Sequence, residues 1–184
     1  MLYSVTGFQD NHSDPYSMQY FLNTYMAFVE AIIPWSPELA EEYGEIQYYG
    51  AIDSFTYEYL ILSLFQLGGA SLVRSTAEIL DVAAKELVYR GGNEYTFNVA
   101  SEVAFSALTP TDRLSALQIM KEQEISLFHA DIYDVDRLIG LTMMGYYSEW
   151  FGYGSTRLEE PSQRVMEFRP ISWEQVGYPG PRRN

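Results

Sequence analysis

The chain contains no cysteine. Disulfides, thiolate nucleophiles and iron–sulfur ligation by its own residues are therefore excluded. It has only two histidines, His12 and His129, so imidazole chemistry has few candidates. Positive charge is scarce too: 11 Lys and Arg stand against 25 Asp and Glu, a net charge of −14. Nucleic acid and anionic membranes both call for a basic footprint, so neither is an expected partner. The scarcity is uneven. No Lys or Arg precedes Arg74, and Arg157, Arg164, Arg169, Arg182 and Arg183 crowd the end. This pattern reads as a solvated acidic face or as an acidic docking face. The uncharged run from Tyr59 to Val73 falls short of the about 20 residues a membrane span needs, and Gly68-Gly69 interrupts it. Met1-Leu2-Tyr3-Ser4 opens neither a basic region nor an apolar one behind it, so no signal peptide is expected and the chain as written reads as cytoplasmic.

What is present is apolar and aromatic. Of 184 residues, 47% are hydrophobic and 16% aromatic, which places the chain among globular proteins of one domain. Sixteen tyrosines and ten phenylalanines imply many contacts that are half buried and half wet, as at interfaces.

Residues 1–13 read as a loose arm. Asp14-Pro15 is a cap with proline at the first helical position. Met18, Phe21, Leu22, Tyr25, Phe28, Val29, Ile32 and Ile33 then follow at helical spacing until Pro34 stops them. Ser36-Pro37-Glu38 can start a short helix that Gly44 ends. Phe55 to Leu67 is apolar almost all round, which predicts a central, buried helix, broken at Gly68-Gly69. An amphipathic helix over 70–89 carries Leu72, Ile79, Leu80, Val82, Ala83 and Leu87 and stops at Gly91-Gly92. Asn93 to Leu108 is expected to be helical, although its β-branched and aromatic content leaves a strand open. Thr109-Pro110 caps a helix with Leu114, Leu117, Ile119, Met120, Ile125, Leu127 and Phe128. A last one starts at Asp134 or Asp136 and runs through Leu138, Ile139, Leu141, Met144 and Tyr147. The sum is an all-α, bundle-like domain of about six helices, a body over 14–148, with an irregular tail over 149–184 rich in rings, glycine and proline.

Chemistry-bearing constellations are weak. A helical di-iron site needs Glu-x-x-His pairs, and neither histidine follows a Glu at that spacing; Glu124 lies five residues before His129. Asp131, Asp134 and Asp136 could offer oxygens to Ca²⁺, but the EF-hand glycine and closing Glu are missing, so capping is the better reading. No Gly-x-Ser-x-Gly elbow, dinucleotide fingerprint or phosphate loop occurs. No catalytic, cofactor-binding or metal residues are therefore assigned. Trp150, Phe151, Tyr153, Trp173 and Tyr178 are the candidates for a partner interface, set against a plainer role as rings covering the bundle's end.

Two separated segments resemble the gluconate 2-dehydrogenase subunit 3 family. One is Phe28 to Leu60, with Ala31-Ile32-Ile33-Pro34, Gly50-Ala51 and Asp53. The other is the tail, where an aromatic corner at the end of a helix is followed by Trp173, Gly177, Tyr178, Pro179 and Gly180. Phe97 through Met120 is similar to the family's middle. The resemblance implies a small, non-catalytic accessory subunit of a bacterial dehydrogenase complex. Its large partner, a glucose–methanol–choline type flavoprotein, would hold FAD and oxidise sugars, sugar acids or polyols, with a haem subunit where one is present. The small subunit would support maturation, stability and export. Two features depart from the family: no twin-arginine signal opens this chain, and Tyr153-Gly154-Ser155 stands where the family has Tyr-Gly-Gly-Asn. A location in the cell envelope would then depend on export with the partner. The alternative is a stand-alone cytoplasmic interaction domain without a dehydrogenase.

Overall fold

Pro34 and Gly44, both legible as punctuation, bracket the first turn of the architecture. The computed structural model describes residues 18–93, 104–122 and 135–180. Among these residues the chain is all-α, with six α-helices and no strand. They are α1 (Met18–Ile32), α2 (Ala40–Tyr43), α3 (Thr56–Tyr89), α4 (Pro110–Glu122), α5 (Val135–Tyr147) and α6 (Ile171–Gln175). The arm, the Asp14-Pro15 cap, His12, Glu124, His129, Asp131 and Asp134 lie outside the described residues.

α3 is the spine. Its two halves meet at Gly68-Gly69, where the backbone leaves helical geometry and Gly69 takes φ +68°, a conformation costly for any residue with a Cβ. Helix α1 runs antiparallel to it: the Ala51 amide donates to the Ile33 carbonyl, the Tyr25 hydroxyl to the Val73 carbonyl, and the Tyr20 hydroxyl to Asp81. Helices α4 and α5 pack against the same spine. By length and composition α3 could cross a membrane. Here Leu60, Ile61, Leu64, Val73, Ala77 and Leu80 sit in the core with Phe21, Phe28 and Phe105.

Two capping signals act as the sequence predicts. The Thr109 hydroxyl accepts from the Asp112 amide at the start of α4. At the end of α3, Gly91 at φ +68° gives a Schellman cap: its amide donates to Val88 and the Gly92 amide to Leu87.

Three expectations need correction. Of the helix expected over Asn93–Leu108, the described part is a 3₁₀ turn, Phe105–Ala107, between extended Ala104 and Leu108. The cause is tertiary: the Phe105 amide donates to the Asp81 carboxylate, and its ring is fully buried. Leu114 is half exposed, because the buried stripe of α4 runs Arg113, Ala116, Leu117, Met120. Arg113 fills the position where a leucine would be expected, and its guanidinium meets Glu30 at 2.6 Å and the Ser106 carbonyl at 3.2 Å. Val82 and Met144, placed in apolar stripes, are exposed.

Candidate partner-binding site

The tail closes one end of the bundle, the end where α3 begins and α5 finishes. Phe55, immediately before α3, sits in the left-handed region at φ +55°, which is uncommon for an aromatic residue and has to be held by its surroundings. The tail does the holding. The Trp150 indole donates to the Phe55 carbonyl at 2.9 Å, and the Arg157 guanidinium lies 3.8 Å from the centre of the Phe55 ring. Arg157 also grips Glu58 through two bonds, of 2.6 and 3.2 Å, and donates to the Gly154 carbonyl. Both side chains of this pair are withdrawn from solvent. A charge pair 99 residues apart in sequence thus pins tail to body.

The tail then folds on itself. Amides of Glu167 and Phe168 donate to the Gly152 carbonyl, and the Ser155 hydroxyl and amide both donate to Glu167. These bonds favour the carboxylate and hold the Glu167 acid below its ordinary range. Gly154, at φ +48°, leaves no room for a Cβ beside Glu167.

The closing motif has a physical basis. Gly177 takes φ +68° and ends the short α6 as a second Schellman cap: its amide donates to Glu174, and the Tyr178 amide donates to Trp173 at 2.8 Å. The hydrophobic contact that accompanies such a cap is Trp173 against Tyr178, edge to face with centres 4.9 Å apart. Gly180 lies against the same indole, where a Cβ would crowd it at 3.2 Å. Trp173, Gly177, Tyr178 and Gly180 are thus one capped unit.

The five sequence-predicted interface residues have different fates. Trp150 and Trp173 are 3% and 6% exposed, so in this arrangement they face the protein itself. Phe151 and Tyr153 are half buried; Phe151 bridges Tyr49 and Phe168 through ring contacts at 6.3 and 5.1 Å. Tyr178 keeps 44% of its surface open. A cavity of about 20 Å³, room for water rather than a sugar, lies among Ile46, Tyr49, Ser54, Tyr146, Ile171 and Ser172. The Tyr146 hydroxyl donates to the Tyr49 carbonyl there, and burial pushes its pKa well above the usual tyrosine range. Burial, with the Glu58 carboxylate nearby, raises Tyr57 as well.

The segment between Pro34 and Gly50 is not among the interface candidates the sequence offers. Trp35, Leu39, Tyr43 and Tyr48 on it are all more than 40% exposed. The signal was available: large rings alternating with glutamates, in a stretch too short and too polar to be a core helix. No metal-binding group of three or more acidic or imidazole side chains occurs among the described residues. Asp136, from the acidic cluster, instead pairs with Lys121 at 2.7 Å.

No family model, curated protein or solved structure matches the chain.

Proposed function

We propose that this chain is the accessory small subunit of an FAD-dependent dehydrogenase of the glucose–methanol–choline type, acting on sugars, sugar acids or polyols. It works by covering and stabilising the flavoprotein, and catalysis and FAD belong to that partner. One observation carries the reading: the two segments that bear the family resemblance meet in space. In the first, the Ile33 carbonyl accepts from the Ala51 amide, and the Gly50 amide donates to Asp53 at 2.8 Å. In the second, Trp173 and Gly177–Gly180 form the capped unit. Ile171 and Ser172 of the second then border the same cavity as Ile46 and Tyr49 of the first. Residues that carry the resemblance at two distant places thus build one end of the molecule. A subunit of this kind acts by mass action, binding the folded partner and so shifting it away from its unfolded forms.

Deleting the coding sequence in the host tests this. The amount of one FAD-containing dehydrogenase and its dye-linked activity toward sugars or polyols should fall together, and re-expression should restore both. Unchanged flavoprotein and unchanged activity would oppose the reading and favour a stand-alone interaction domain.

A further inference from the structure

We infer that the lobe formed by residues 34–49 is a docking face for a partner protein whose matching surface carries Lys and Arg around apolar pockets. This deepens the reading above and rests on it for the partner's identity, the flavoprotein subunit.

The lobe is a closed arc. Its ends are tied by the Ala51–Ile33 bond and by Gly50, where a Cβ would strike the Trp35 amide at 2.9 Å. Across its waist the Ser36 amide donates to the Gln47 carbonyl. Ile46, only 5% exposed, plugs it into the core, and the Tyr146 hydroxyl holds it from α5 through the Tyr49 carbonyl. A surface loop fixed at so many points is preorganised, so little ordering entropy opposes binding. Yet it turns large rings outward: Trp35 is 62% exposed, Tyr43 55% and Tyr48 53%. Exposed Trp and Tyr on a rigid support are the residues that most often anchor interfaces. Around them Glu38, Glu41, Glu42 and Glu45 are exposed, and none is ion-paired among the described residues. No Lys or Arg occurs in the lobe or anywhere before Arg74. A rim of unneutralised carboxylates repels nucleic acid and anionic lipid, and it disfavours a second copy of this lobe. It selects a basic protein surface by charge complementarity.

Photocrosslinking in the host, with benzoyl-phenylalanine at Trp35 or Tyr48, tests the face. Tyr89, 82% exposed at the far end of α3, is the control position. Expected is one protein, identified by mass spectrometry, captured from Trp35 and Tyr48 but not from Tyr89. The double reversal Glu41→Lys/Glu42→Lys should cut capture about tenfold, a decade in affinity, with an unchanged circular dichroism spectrum. No capture, equal capture from Tyr89, a crosslink to a second copy, or indifference to the charge reversal would each overturn the inference. The flavin content of the captured protein decides the function separately. A flavoprotein caught only from Tyr89 keeps the function and removes the face. A protein without flavin, caught from Trp35 and Tyr48 in a charge-dependent way, keeps the face and removes the dehydrogenase reading.

Discussion

Glu58 and Arg157 illustrate what single residues contribute to this molecule. Each would be an isolated charge in a poorly hydrated place without the other, and the pair joins tail to body. Removing one partner leaves the other uncompensated, which typically costs about 3–5 kcal/mol, whereas replacing both by apolar residues of similar size costs much less. Glu58→Leu should therefore lower the chemical-denaturation midpoint more than the double variant Glu58→Leu/Arg157→Met. Equal midpoints for the single variant and wild type would show that the pair does not hold the tail. Tyr146 gives a pH signature. Its folded-state pKa is raised, chiefly by burial. The native chain therefore keeps a proton that the unfolded chain releases above about pH 10. The stability linked to it is complete below that pH and declines as the pH climbs from there toward the folded-state value. Thermal melts between about pH 9 and 11 should show a falling midpoint, with a shallower slope in Tyr146→Phe. A parallel slope in that variant would assign the alkaline loss to other groups. Neither pairing was visible in the sequence. Partners 99 residues apart carry no local pattern, and the buried Arg113 broke the apolar stripe it belongs to.

At the scale of elements, punctuation proved more legible than periodicity. Pro34, Gly44, Gly68-Gly69, Thr109-Pro110 and Gly91-Gly92 each act where the sequence places a stop, break or start. Their effects are local backbone sterics and side-chain caps, which tertiary context rarely overrides. The stretch before Leu108 was misread because Asp81, more than twenty residues away, takes the Phe105 amide. Helix α6 was not foreseen either: five residues are too few to display a period, and its stability lies in its cap and packing. That gives a paired prediction. Trp173→Ala removes a buried indole and its edge-to-face contact with Tyr178 and should cost about 3–5 kcal/mol. Gly177→Ala forces a Cβ into a left-handed cap and should cost about 1 kcal/mol. Urea titrations of the two variants should rank them in that order. A Trp173→Ala variant as stable as wild type would mean that the tail does not support the body.

The whole molecule is a helical body with one elaborated end. Helix α1, the two halves of the spine and the bundle class follow from composition and spacing; the continuation of those halves through Gly68-Gly69 as one kinked helix does not. What distinguishes the end is long-range: the lobe over 34–49, the start of α3, the close of α5 and the tail converge there from four parts of the chain. The sequence marks the tail's aromatics as candidates for a partner interface. The fold turns the tail's tryptophans inward, while on the lobe Trp35, Tyr43 and Tyr48 stay open, with Ile46 and Tyr146 holding the lobe in place. On the proposed reading, the buried rings serve the chain's own stability and the exposed ones its partner. The most direct measurement is the visible absorption spectrum of the tagged chain purified gently from its native host. A flavin spectrum is expected, with a second, larger polypeptide at a fixed ratio to this chain. Recovery of the chain alone and colourless, in a preparation that retains other native complexes, would contradict it.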